Sequence, residues 1–398
     1  MIADFGHRVR TTIHRFGPQA YLIMNIRRLP SIRFIGLACS LMFCEMPLPA
    51  TPITSRAAFH WTALPALPDP VGFAGMYAGA SGGALVAAGG TNFPERPFAK
   101  GGKKIWHDRI FILSGPDGHW REAGRLPRPS AYGVSSTWRD AVVCAGGCDA
   151  KTNFSSAWLM RWNGQVMVVE SLPALPLPIA DACGAVVGDT FYVIGGQERP
   201  DSTSALIRMF SLDLARPPSG RRWEEKPWPV DAPGRIYAVA GTHQGELFLF
   251  SGCELAIDAA GKIGTRELKD AYAFKPGRGW RRLADMPNAA ASAPSPAVEI
   301  DPAHLLIAVP LDTAARPSGP TPAYLEYESA TNTWRVSFRD PADCAVGAAC
   351  FDTPMVPWQG RFAMISGEIA AGLRTPAVLS LEAARPDGVP VGIPKHTG

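Results

Sequence analysis

Five times along this chain an apolar run ends in a pair of small residues: Val86-Ala-Ala-Gly89-Gly90, Val143-Cys-Ala-Gly146-Gly147, Tyr192-Val-Ile-Gly195-Gly196, Leu249-Phe-Ser251-Gly252 and Met364-Ile-Ser366-Gly367. No other feature restricts the fold so tightly. The first four pairs lie 49 to 57 residues apart, and the last follows after 115, which is two periods. The skipped station falls near residue 309, where His304-Leu-Leu-Ile-Ala-Val-Pro310 supplies the apolar run without the glycines. A period of this length marks one supersecondary unit repeated in an array rather than a string of separate domains.

Each unit reads as four strands. An apolar strand comes first, then a tight turn such as Val187-Gly-Asp189, then a buried strand closing on the small-residue pair. After a loop come an alternating strand, such as Asp270-Ala-Tyr-Ala-Phe274, and a last strand carrying a tryptophan. Trp61, Trp120, Trp223, Trp280 and Trp334 mark those last strands, and only the unit over 131–178 lacks one. The small pair allows positive φ or close backbone approach where the second strand leaves the sheet. Four strands in roughly 50 residues is the arithmetic of a propeller blade, and the pattern resembles the kelch repeat. Six units fit. The stretch Phe59-His-Trp61-Thr-Ala-Leu64-Pro is a last strand without a unit of its own, while the final unit (345–385) lacks one. The expectation is therefore an all-β, six-bladed kelch-type β-propeller whose last blade is closed by the N-terminal strand, leaving no open sheet edge.

Composition agrees with this and removes some functions. Gly (40) and Pro (38) are frequent and charged content is 19%, which suits short strands and tight turns. The formal charge of +4 comes from the N-terminus, where residues 1–57 hold seven arginines against Asp4 and Glu45. The remainder is close to neutral, so no basic face for nucleic acid is expected. Residues 24–57 read as a secretory signal: Arg27, Arg28 and Arg33 precede an apolar run from Phe34 to Cys44, and small residues then offer cleavage near Ala50 or after Ala57, where Ser55-Arg-Ala57 has the small-x-small pattern. Met24 reads as the true start, giving a leader over 1–57, a propeller domain over 58–398 and a periplasmic location. That apolar run is too short to span a membrane, which needs about 20 residues of helix. Cys144 and Cys183 fall in apolar strand runs and read as small buried hydrophobes. Cys344 and Cys350 are the first pair to test for a disulfide. No Cys-x-x-Cys or Cys/His cluster appears, so neither a metal nor another cofactor is expected.

In a four-stranded blade, the loops between strands two and three open on the same face as the connections between blades. On that face fall Asn92, His107, Glu198, Arg199, Glu254, Glu368 and Arg374 from the first set, with Tyr132, Arg235 and Tyr237 from the second. Loops over a concave mouth on a rigid scaffold are the usual place for a site.

Three motifs there resemble those of the bacterial sialic-acid mutarotases, the N-acetylneuraminate epimerases. They are Gly72-Phe-Ala-Gly75, Ala131-Tyr-Gly-Val134 and Gly367-Glu368-x-x-x-Gly372-Leu373-Arg374-Thr375. The resemblance covers the chain after the leader in rotated order, as in a cyclically permuted branch. Ile369, Ala371 and Ser130 depart from the family pattern. The resemblance implies a secreted kelch propeller that interconverts the anomers of N-acetylneuraminate, with Glu368 and Arg374 in catalysis. Arg374 would clamp the sugar-acid carboxylate. Arg235, Tyr132, Tyr237, Asn92, Glu198 and Glu254 are the candidates for further substrate contacts, the two glutamates because they are read at stations equivalent to Glu368. The competing reading is a kelch propeller that binds carbohydrate or protein without catalysis, since one fold hosts many functions. A mutarotase calls for a small polar cup around Glu368; a binding module calls for a broad apolar patch.

Overall fold

The computed structural model describes residues 58–257, 261–311, 321–338 and 351–384. The leader and the Cys344–Cys350 pair lie outside the described residues. Six four-stranded antiparallel sheets follow one another along the chain, beginning at Tyr77–Ser81, Val134–Trp138, Cys183–Val187, Val239–His243, Val298–Asp301 and Met355–Trp358. The sixth is completed by Ala58–Leu64, which pairs along Val378–Ala384 from Ala58↔Ala384 to Leu64↔Val378. Both ends of the propeller therefore share one blade, as the surplus Trp61 strand requires. The skipped fifth station is a long strand, His304–Leu311.

The core is not one mass but six wedges. Tyr77, Val86 and Ile110 of blade one meet Val142 and Trp158 of blade two. Val298, Leu306 and Tyr324 of blade five meet Met355, Phe362 and Trp61 of blade six. Each of the other four junctions has its own cluster. This packing corrects the alternation expected of third strands. Ala271–Lys275 is buried at every position but the last, because a middle strand lies between neighbouring blades on both faces. Alternation survives at the edge, as in Met167–Leu172.

The tryptophans act as staples between blades. The indole N–H of Trp120 donates to Pro65 O at 2.7 Å, Trp223 to Pro173 O at 2.8 Å, Trp280 to Pro227 O at 2.7 Å and Trp334 to Ala284 O at 2.9 Å. In each case the outer strand of one blade caps the chain leaving the previous one. Cys144 and Cys183 are buried thiols, as their apolar runs imply. Among the described residues no helix is long and apolar enough to cross a membrane.

Candidate active site

One residue ahead of the innermost strand of every blade lies in the left-handed region: Gly75, Tyr132, Asp181, Tyr237, Ser292 and Asp352, with φ from 50° to 68°. The amide of each donates to the carbonyl of its counterpart in the blade before, at 2.8–3.0 Å, and Gly75 donates to Asp352. Six hydrogen bonds so close a ring around the axis. That conformation suits glycine and is tolerated by Asp, but it costs a bulky residue of order 1–3 kcal/mol. Tyr132 and Tyr237 are held in it by the ring, and strain of this kind gathers at functional sites. All six residues line one central cavity.

A second tier stands above the first. Thr91, Cys148, Gln197, Cys253 and Glu368 each form a backbone bridge to the residue preceding a ring member, namely Ala74, Ala131, Ala180, Ile236 and Phe351. The tiers touch: the Tyr132 hydroxyl lies 3.0 Å from Thr91 Oγ1, and Gln197 Nε2 donates to Asp181 Oδ2 at 2.7 Å.

Glu368 belongs to this tier because its loop is a short hairpin in which it pairs in register with Arg374. Arg374 Nη1 stands 2.5 Å from Glu368 Oε2, and Glu368 Oε1 accepts the Gly372 amide at 2.7 Å. The guanidinium lies 5.0 Å over the Phe93 ring. Its side chain is 3% exposed against 18% for Glu368, yet among the described residues its Nε finds no hydrogen-bond partner. The hairpin is braced by the Gly72-Phe-Ala-Gly75 segment. Phe73 donates its amide to Ser366 Oγ at 2.7 Å, and a Cβ on Gly72 would come within 2.1 Å of Thr375 O. Two of the motifs noted in the sequence are thus one contact, made between the two ends of the propeller.

Charge in the cavity is unevenly matched. Burial pushes the Asp181 carboxyl up to about 7; the Gln197 bond opposes this, the Asp352 charge adds to it and Lys104 opposes it. Asp352 is raised to about 6, again mainly by burial, with the Ser292 bond opposing and Glu368 adding. Both keep some solvent contact within the channel while protein surrounds them. Lys104 is lowered by burial and by the nearby Arg374 charge. Its Nζ lies 4.5 Å from the centre of the Tyr132 ring and 5.3 Å from that of Trp106. Tyr132 is raised, chiefly by burial, and Tyr237 is raised first by the Asp181 charge. Arg374 and Lys104 can therefore hold an anion beside carboxyls that change protonation near neutrality.

The structure places Tyr132 and Tyr237 on the cavity wall, sets Glu368 in the second tier with Arg374 beside it, and disposes of the other sequence candidates differently. Arg235 is fully buried and forks onto Asp270, Nη1 to Oδ1 and Nη2 to Oδ2 both at 2.8 Å, with Ser251 O taking a third bond at 3.0 Å. Its guanidinium is a brace inside blade four. Asn92 is buried between Asp69 and His107, at 3.3 and 2.8 Å. Glu198 and Glu254 do not share the station of Glu368; Gln197 and Cys253 do. A shift of one residue along a strand turns a side chain to the other face. Glu254 accordingly pairs with Arg266 across its own hairpin, Nε to Oε2 at 2.9 Å, at an exposed position. Glu198 is exposed.

Lys104, Asp181 and Asp352 were missed by the sequence reading. One signal existed: Ala180-Asp181 stands to its blade as Ala131-Tyr132 stands to the blade before.

Comparison with known proteins bears on the first third of this architecture. Residues 51–169, which run from the closing strand through blades one and two, match the family model for N-acetylneuraminate epimerase. N-acetylneuraminate epimerase of Brucella suis is 33% identical over 130 residues, covering 29% of this chain and 33% of the relative. That of Yersinia pestis strain Pestoides F is 35% identical over 109 residues, 25% of this chain and 27% of the relative. That of Haemophilus influenzae is 31% identical over 126 residues, 28% and 33%. The chain thus spans a third or less of the length of these curated relatives, and the family-model match ends before Glu368 and Arg374. Over residues 51–169, the chain is similar to the N-acetylneuraminate epimerase family.

Proposed function

We propose that the protein is a sugar-acid mutarotase that interconverts the α and β anomers of N-acetylneuraminate. The observation that carries this reading is the buried Arg374 guanidinium, whose Nε has no hydrogen-bond partner among the described residues. It is paired with Glu368, its charge acts on Lys104 and Asp352, and Asp352 lines the central cavity with Asp181. Anomer exchange at a sugar acid needs two things of a protein. It must grip the carboxylate, and it must move one proton off the anomeric hydroxyl and another onto the ring oxygen. Arg374, backed by Phe93 and oriented by Glu368, provides a planar donor for the first. Carboxyls that titrate near neutrality provide the second, a step worth about 10²–10⁴ in rate. The family match over residues 51–169 supports the same reaction. The ring residues line a concave central cavity, which favours a small ligand over a protein partner. The leader read over residues 24–57 supports work in the periplasm, which cell fractionation would check.

Proton NMR of freshly released α-N-acetylneuraminate tests the reading. Wild type is expected to speed appearance of the β anomer above the spontaneous rate, and Arg374→Ala to lose about 10²-fold in kcat/KM. No acceleration by folded wild type would overturn it.

A further inference from the structure

We propose that Asp352 and Asp181 are the base and the acid of ring opening, and that Glu368 is a positioning residue that holds Arg374. The inference rests on the mutarotase reading and assigns its chemistry to residues outside the Glu–Arg hairpin. Asp181 opens blade three and Asp352 opens blade six of a six-membered ring, so the two stand on opposite sides of the axis. The Arg374 charge acts on Asp352 and the Lys104 charge on both carboxyls, so a sugar acid held by its carboxylate at Arg374 would bring its anomeric carbon, the atom next to that carboxylate, towards the pair. Glu368 is committed elsewhere, one oxygen to the Arg374 guanidinium and the other to the Gly372 amide. Protonating it would leave a buried guanidinium without its counter-charge.

The exchange balances without any further reactant. The Asp352 carboxylate takes the proton of the anomeric hydroxyl, and that oxygen forms a carbonyl as the bond from the anomeric carbon to the ring oxygen breaks. The ring oxygen, carrying the released electron pair, takes the proton of the Asp181 carboxylic acid. Rotation of the open chain presents the other carbonyl face, and the two transfers run backwards. One carboxyl must start ionised and its opposite protonated, which matches values of about 6 for Asp352 and about 7 for Asp181. Such a pair titrates in two coupled steps. The charges facing it are Lys104 and Glu368 with Arg374; Tyr132, Tyr237 and Cys148 are neutral at these values. A bound sugar carboxylate at Arg374 adds negative charge and favours keeping one proton on the pair.

The test is anomer exchange in wild type, Asp352→Asn, Asp181→Asn and Glu368→Gln, across pH 5 to 8, with sugar binding followed by calorimetry. Asn tolerates the left-handed region and keeps the amide and carbonyl of the ring, so the fold should stand; circular dichroism checks it. The expected result is a bell in kcat/KM for wild type, with limbs near about 6 and about 7. Each Asn variant should lose about 10²-fold or more in kcat, lose its own limb, and bind the sugar within a few-fold of wild type. Glu368→Gln should raise KM more than it lowers kcat. If wild type is active and both Asn variants keep its rate and its bell, the assignment fails while the mutarotase reading stands. If folded wild type does not accelerate exchange, both fail together.

Discussion

Two hairpins of this propeller read alike and do different work. Both follow a Ser-Gly pair, and both carry a Glu–Arg pair in register, Glu254↔Arg266 in blade four and Glu368↔Arg374 in blade six. In blade four the charges stand 33% and 63% exposed; in blade six they stand 18% and 3% exposed. The cause is a single residue. Cys253 separates Gly252 from Glu254, whereas Glu368 follows Gly367 directly. Cys253 therefore takes the position over the channel, and the Glu–Arg pair of blade four is rotated onto the outer face of its hairpin. An ion pair becomes a site or an ornament according to register rather than composition.

The largest difference should be in stability. Glu368→Ala leaves the Arg374 guanidinium buried with no counter-charge, a change that costs about 3–5 kcal/mol when a buried pair is broken from one side. Denaturant unfolding should show a lower midpoint for Glu368→Ala by that amount. Rescue by the double variant Glu368→Ala/Arg374→Met would show that the stranded charge, not lost packing, is responsible. An equal loss in Glu254→Ala would break the comparison.

What the hairpins share gives the next effect. In blade six Ser366 Oγ accepts the Phe73 amide at 2.7 Å and donates to Thr375 O at 2.6 Å. In blade four Ser251 Oγ accepts the Ala290 amide at 2.7 Å and donates to Leu268 O at 2.8 Å. Each hydroxyl ties the returning loop to the connection into the next blade, and each is buried. Ser366→Ala and Ser251→Ala should each cost about 1–3 kcal/mol by orphaning a buried donor and acceptor. The two losses should be alike in a thermal melt. If only one matters, the hairpins are not built on a common frame.

A third effect concerns carboxyls held by neutral hydrogen-bond donors, Asp181 by Gln197 and Asp352 by Ser292. Asp181 and Asp352 hold protons in the folded state at pH values where the unfolded chain has released them. Their contribution to stability therefore falls as pH rises from about 4 towards 7. Asp181→Asn should raise Tm at pH 8 by roughly 2–4 °C for each kcal/mol relieved, and by less at pH 5. Glu368, satisfied by Arg374 and Gly372, should not gain from Gln at either pH. A gain in Tm for Glu368→Gln at pH 8 would mean that the blade-six pair is no better satisfied than the channel acids.

The same register argument explains how much was legible in the sequence. Blade number, the closing strand and the tryptophan strands all leave residue types that backbone geometry demands: Gly at positive φ, an indole that caps a neighbour, an apolar run for a strand buried on both faces. The Glu–Arg hairpin was legible for the same reason, since Gly367 and Gly372 frame it. The ring was not, because Gly75, Tyr132, Asp181, Tyr237, Ser292 and Asp352 share a backbone role and no side-chain type. Asp181 and Asp352 could be found only by counting from the residue before each first strand. Arg235 looked like a clamp because its partner Asp270 lies 35 residues away. Glu198 and Glu254 were misplaced by one residue, the smallest error a strand allows and the one that reverses its face.

The smallest effect is the sharpest check on that reversal. Arg266 lies mostly in water, so its pair with Glu254 is screened by solvent and salt and is worth about 0.2–1 kcal/mol. Glu254→Ala should shift the unfolding midpoint by no more than that, and the shift should fade as salt is raised towards 1 M, where the screening length is about 3 Å. Anomer exchange should stay within two-fold of wild type, since neither charge reaches the channel. A loss of exchange in Glu254→Ala with the fold intact would put the blade-four pair over the mouth after all, and the one-residue offset at Cys253 would no longer separate the two hairpins.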